Sequence, residues 1–351
     1  MSERPPASPP SVDPPSPPLE SPPNSLSGDA PLSDGESPTS VAPPELIEVL
    51  APEGSLPWRL LGVLKTMRPH QWVKNVFVLA PIVFAREIRD VTLLTRALGA
   101  FFVFCLLAGA VYTINDLADR EADALHPVKR FRPIARGQVP VTWAKVLWVL
   151  LLLVGLGGAA TGSLGFFLSA AGYFLLNVAY SSKLKHVAYV DVICIAAGFV
   201  LRVVAGGYAT YVQVSTYLII CTALLALFLG FGKRRHELTS IKRKRRQRAS
   251  LEFYSRRVLD GMLAGTAVAT FGVYLAYTLD PHTVALFHNP YLWVSSGLVA
   301  LGMWRFLYLV RHRPEAESPT QVMLSDGPFV AIVLGWVAMV MWVVYMLRPT
   351  V

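Results

Sequence analysis

The stretch YTINDLADREADALHPVKRFRPIARG, residues 112–137, holds four carboxylates within eight positions: Asp116, Asp119, Glu121 and Asp123. It begins in an apolar run and ends among cations, so a helix leaves hydrocarbon here and surfaces in water. If the helix continues through the acidic residues, Asn115, Asp119 and Asp123 recur every fourth position on one face, with Asp116 beside Asp119. Oxygen-bearing side chains stacked this way repel one another unless a cation bridges them. A few hard oxygen donors, with room left for water and phosphate, suit Mg²⁺ bound together with a diphosphate. The plain alternative is a solvated helix end, but carboxylates at a helix C-terminus oppose its dipole. Immediately downstream, His126, Lys129, Arg130, Arg132 and Arg136 place cationic donors where phosphate oxygens would be.

The chain around this motif is 53% hydrophobic and only 16% charged, against about a quarter charged in a soluble domain. That excludes an ordinary soluble enzyme. The first 57 residues differ sharply, holding 16 of the 27 prolines, nine acidic side chains and one basic one, Arg4. Proline at this density removes backbone donors and favours extended chain, so residues 1–57 read as a disordered acidic tail without catalytic role. Within it, only ELIEVLAPEG, near Pro44, has the makings of a short helix. The remaining body, 58–351, carries 31 Lys and Arg against 14 Asp and Glu. The tail lacks the basic and apolar regions of a signal peptide, so the first apolar span is expected to direct insertion. Cys105, Cys194 and Cys221 all fall in apolar runs, with neither disulfide nor zinc spacing, and read as buried thiols.

Nine apolar spans follow, near 71–86, 93–115, 141–160, 163–180, 188–209, 214–232, 259–279, 290–310 and 328–347. Each approaches the ~20 residues that cross a bilayer. The first is interrupted by Asn75 and Pro81. The fold class is therefore an all-α polytopic membrane protein of about nine transmembrane helices. With the N-terminus cytoplasmic, the loops on that side contain 20 Lys and Arg and the opposite loops three. This bias places the N-terminus and the polar motifs on the cytoplasmic side of the cell's inner (plasma) membrane.

Two further polar segments reach the same side. NVAYSSKLKHVAYVDV (177–192) brings Tyr180, Lys183, Lys185 and His186 to the end of the fourth span. Inside the fifth span, Asp191 and Arg202 lie about three turns apart on roughly one face. Either they pair with each other, or Arg202 reaches an anionic substrate group. GKRRHELTSIKRKRRQRASLEFYSRR (232–257) holds eleven Lys and Arg. Between two spans this density suits anionic headgroups or a phosphate-bearing substrate, not nucleic acid. Lys233, Arg234, His236 and Glu237 stand nearest the membrane, within reach of a site.

The Asn-Asp-x-x-Asp-x-x-x-Asp pattern on this body resembles the UbiA superfamily of intramembrane prenyltransferases. RPHQWVKN (68–75), the HPVKRFRPIARG continuation (126–137), YSSKLKH (180–186), LRVVAGGYAT (201–210) and GKRRHEL (232–238) resemble the branch that transfers phosphoribosyl to polyprenyl phosphate. The likeness spans about residues 60–350 and omits the tail. It implies phosphoribosyl diphosphate as donor, polyprenyl phosphate as acceptor, Mg²⁺ as cofactor, and a role in cell-envelope glycolipid synthesis. Mg²⁺ would sit on Asn115, Asp119 and Asp123, with Asp116, Asp119 and Asp123 as the catalytic carboxylates. Tyr112, Asn115, Lys129, Arg130 and Arg136 would hold the donor. Lys74, Tyr180, Lys183, Lys185 and Arg202 would hold the lipid phosphate. The second motif departs from the superfamily's second Asp-rich motif, since it is basic until Asp191. Prenyl transfer to an aromatic or quinone precursor, or a non-enzymatic lipid transporter or scaffold, stay open as alternatives. The chain could also form a homo-oligomer.

Overall fold

The computed structural model describes residues 54–239, 253–312, 323 and 325–345. Every described residue belongs to one compact unit, within Glu48–Val351. The acidic tail, apart from its last four residues, and the RKRRQR run at 243–248 lie outside the described residues.

Among the described residues the fold is all-α. A short helix α1 (Leu56–Met67) precedes a 3-10 segment, Pro69–Leu79, and helix α2 (Ala80–Phe84). Then follow α3 (Val91–Ala118), α4 (Arg120–Ala124), α5 (Val141–Ala160), α6 (Leu164–Ser182), α7 (Val190–Thr210) and α8 (Thr216–Thr239). The chain continues through α9 (Arg256–Leu279), α10 (Pro281–Phe287), α11 (Ser295–His312) and α12 (Gly327–Tyr345). Eight helices, α3, α5–α9, α11 with the 3-10 turn before it, and α12, are long and apolar enough to cross a membrane. They match the second to ninth spans read from the sequence, and the chain is an integral membrane protein.

The first expected span is not a continuous α-helix. Pro69 lacks the N–H that would extend α1. Arg68 caps α1 in the left-handed region, at φ 53°, its N–H donating to the Lys65 carbonyl. Beyond it the chain continues as eleven residues of 3-10 helix and five of α-helix, and this segment is not among the helices long and apolar enough to cross a membrane.

A close backbone contact holds this segment. A Cβ on Gly206 of α7 would lie 1.9 Å from the Val78 carbonyl oxygen, so only glycine lets α7 and the 3-10 segment approach this far. Around that contact Val78, Phe104, Leu107, Phe166, Tyr173 and Ala205 form one core. A second joins Val192, Phe228, Phe231, Leu259 and Phe306. On the outer faces of the spans, Val146, Leu153, Leu168, Val268 and Leu334 are exposed, as membrane-facing side chains must be. Helix α1 is capped by Ser55, whose hydroxyl accepts the Trp58 N–H at 3.3 Å. Its Val63 packs on Ile134, Val139 and Ala144, pinning the loop that follows the acidic motif.

Candidate active site

Helix α3 ends at Ala118, but the helical register survives the break. The Asp119 N–H donates to the Asn115 carbonyl at 2.9 Å and the Asp123 N–H to the Asp119 carbonyl at 2.8 Å. Asn115, Asp119 and Asp123 therefore stand one turn apart. The structure ties Asp116 to Asp123, both buried, through Arg132. Its Nη1 donates to Asp116 Oδ1 at 3.2 Å and to Asp123 Oδ2 at 2.6 Å. Lys129 adds an ion pair to Asp123 at 3.6 Å. Arg68, turned inward by its left-handed backbone, donates to Asp116 Oδ1 at 2.6 Å and lies 4.9 Å over the Tyr112 ring.

Asp119 differs from its two neighbours. Half-buried, it has no side-chain hydrogen bond or ion pair among the described residues. Asn115 spends its amide nitrogen on Ser181 Oγ at 2.9 Å, which leaves its Oδ1 as an acceptor. An open carboxylate, an oriented amide oxygen and a second carboxylate one turn on are hard oxygen donors that fit Mg²⁺. No cluster of three or more His, Cys, Asp or Glu with metal-holding geometry occurs among the described residues. The fit therefore depends on the amide oxygen completing the set.

The expected donor cations divide. Lys129 reaches the motif, whereas Arg136 donates to Gln138 Oε1 at 3.0 Å and lies over the Trp58 ring. Arg130 is exposed, over the Phe131 ring. His126 is structural: its Nδ1 accepts the N–H groups of Val128 and Lys129. Arg132 stood in the basic cluster as a cation for phosphate oxygens, and Arg68 was visible only as the first residue of RPHQWVKN. Their place at the carboxylates comes from the loop and from the left-handed turn.

The expected lipid-phosphate residues also fall into two groups. Tyr180 ends α6 and Lys183 and Lys185 lie in the turn after it, with Lys183 exposed and Lys185 half-buried. Arg202 lies twelve residues into α7, about 18 Å further along the bundle. It does not pair with Asp191. It is held by Asn75, Tyr173 and Gly198 instead. Asp191 faces Arg234 Nε at 2.7 Å and accepts the Tyr254 hydroxyl proton. Arg234, fully buried, also pairs with Glu237. Burial, together with the bond to Asp191, pushes the Tyr254 hydroxyl up from its ordinary pKa. Asp191, with Arg234 and Tyr254, thus ties α7, α8 and the Tyr254 loop together, and Glu237 pairs with Arg234 within α8. Beside the acidic motif, a cavity of about 500 Å³ between α3 and α5 is lined by Ile114, Leu117, Ala118, Trp148 and Val149, with Lys145.

The UbiA prenyltransferase family pattern matches residues 76–325. The chain is 34% identical over 299 residues to the decaprenyl-phosphate phosphoribosyltransferase of Corynebacterium glutamicum, covering 82% of this chain and 87% of that one. To the protein of that name in Mycobacterium tuberculosis it is 35% identical, over 80% of this chain and 93% of the other. Its fold is similar to a UbiA homologue from Archaeoglobus fulgidus solved with DMAPP and Mg²⁺, at TM-score 0.60 and 20% identity, covering 81% and 99% of the two chains. Fold, acidic motif and relatives agree: the chain belongs to the UbiA prenyltransferase family.

Proposed function

We propose that this protein transfers the 5-phosphoribosyl group of phosphoribosyl diphosphate to a polyprenyl phosphate, releasing diphosphate at the cytoplasmic face of the inner (plasma) membrane. The observation that carries the reading is the contrast between the two motifs. One presents Asp119 and the Asn115 amide oxygen, and the other presents Tyr180, Lys183 and Lys185 without a carboxylate. Relatives named for this reaction, similar over four fifths of the chain, support it. The charge bias of the loops supports the cytoplasmic side, and a product of this kind would serve cell-envelope glycolipid synthesis.

Asn115, Asp119 and Asp123 would hold Mg²⁺, which when bound would neutralise charge on the leaving diphosphate. Arg132 and Lys129 hold Asp123 in place, and Arg68 and Arg132 hold Asp116. Arg130 and Arg136 stand at the same loop for the donor's phosphates. As the C1–O bond lengthens the ribose gains positive character, and Asp116 supplies a fixed negative charge nearby. The acceptor phosphate is already anionic, so no strong general base is needed. Lys183, Lys185 and Tyr180 would steer it, and the groove beside α3 offers its chain an apolar wall.

Purified protein given phosphoribosyl diphosphate or a prenyl diphosphate, each with its matching acceptor, tests this. The reading expects consumption of phosphoribosyl diphosphate only when polyprenyl phosphate and Mg²⁺ are both present. Mg²⁺-dependent consumption of prenyl diphosphate with an aromatic acceptor instead would establish the prenyltransferase alternative.

A further inference from the structure

Arg202 is a buried cation, 7% exposed, whose protein partners are all neutral. Its Nε donates to Asn75 Oδ1 at 2.8 Å, Nη1 to the Gly198 carbonyl at 2.9 Å and Nη2 to the Tyr173 hydroxyl at 2.8 Å. It also lies against the Tyr173 and Phe199 rings. These bonds use three of the five guanidinium N–H groups, so Nη1 and Nη2 each keep one to give. Lys74, half-buried, lies within electrostatic reach of both Arg202 and Arg68 and makes no hydrogen bond or ion pair among the described residues. Arg68 has Asp116 as its counter-ion, whereas Arg202 and Lys74 have none among the described residues; like charges held so are costly, and the cost falls when an anion arrives.

The depth of this cluster follows from α3. Asn75 also donates to Cys105 Sγ at 3.3 Å, and Cys105 lies ten residues, about 15 Å, before Asn115. Tyr112 lies one turn before Asp116, in the field of both Arg68 and Arg202. The free guanidinium edge therefore falls between those levels, below the acidic motif and inside the bundle.

We propose that Arg202 and Lys74 form a second, buried phosphate subsite that takes the 5-phosphate of the donor, with Asn75 and Tyr173 as the residues that position Arg202. This rests on the phosphoribosyl reading above. A pentose with a diphosphate at one end and a phosphomonoester at the other needs two anion sites separated by the sugar. A prenyl diphosphate would need an apolar wall at this depth. A lipid phosphate has one charged end, and Lys183 and Lys185 already await it at the end of the bundle.

The test compares wild type with Lys74→Gln, Arg202→Gln and the charge-keeping Arg202→Lys, each checked for folding by thermal melting. Loss of a charged contact should raise the KM for phosphoribosyl diphosphate about 10- to 100-fold in the Gln variants, and less in Arg202→Lys. Ribose 5-phosphate should compete with the donor in wild type and lose that competition in Lys74→Gln. Inhibition by inorganic diphosphate and the KM for polyprenyl phosphate should hold. If diphosphate inhibition weakens in step with donor affinity, the two cations serve the diphosphate and the subsite is refuted. A rise confined to the polyprenyl phosphate KM would assign them to the lipid and refute it equally. Normal wild-type transfer with unaltered donor KM in both Gln variants overturns the subsite alone. A wild type that transfers no phosphoribosyl group overturns the proposed function as well.

Discussion

At the scale of single residues, three carboxylates within eight positions have acquired different tasks. Asp116 is buried and bound by Arg68 and Arg132, whereas Asp119 is left open. We expect Asp119→Ala to lower kcat/KM on the order of 100-fold or more while the melting temperature holds. Asp116→Ala should lower both, because two half-buried guanidinium groups lose their shared acceptor, at a cost of about 1–3 kcal/mol. Steady-state kinetics and thermal melts on the same preparations would separate the two roles. Wild-type rates for Asp119→Ala at limiting Mg²⁺ would reduce Asp119 to a solvated helix end. Lys185→Ala, in the turn after α6, should raise the KM for polyprenyl phosphate more than that for the donor. Equal effects on both would remove it from the acceptor site. The acidic motif was legible because its period of four survives the break at Asp119. Arg68 was not, because a left-handed turn brings it to a carboxylate 48 positions away. The same-face spacing of Asp191 and Arg202 suggested a pair that the fold does not make, since Arg234 arrives from α8 to claim Asp191.

Among the elements, the segment after α1 decides where Lys74, Asn75 and Arg68 stand. Asn75 and Pro81 interrupt its apolar run, and the chain answers by stretching into a 3-10 segment. Hydropathy locates such a segment but gives no sign of its pitch. What holds it is the contact of Gly206 with the Val78 carbonyl. We expect Gly206→Ala to displace this segment and to reduce folded yield and activity together. Gly99→Ala, on α3 with open space around it, should leave both unchanged. Size-exclusion profiles and turnover of the two variants would show this, and a well-folded, active Gly206→Ala would refute the contact's importance.

For the whole molecule, apolar runs of about twenty residues revealed the eight long helices, because a chain crossing hydrocarbon must satisfy its backbone polar groups internally. The division of charge between tail and body points the same way about the tail. Deletion of residues 2–47 should leave membrane insertion intact and transferase activity within a few-fold of the full chain. Loss of turnover in an inserted, folded truncation would give the tail a catalytic role. The central claim concerns what leaves the donor and where it goes, and one measurement addresses it directly. Purified protein would be incubated with phosphoribosyl diphosphate labelled in its 5-phosphate, polyprenyl phosphate and Mg²⁺, and the label followed into organic solvent. The account predicts label in a lipid one phosphoribosyl unit heavier than the acceptor, absent without Mg²⁺ and absent in Asp119→Ala. Label that stays in the aqueous phase while the acceptor is unchanged would contradict it.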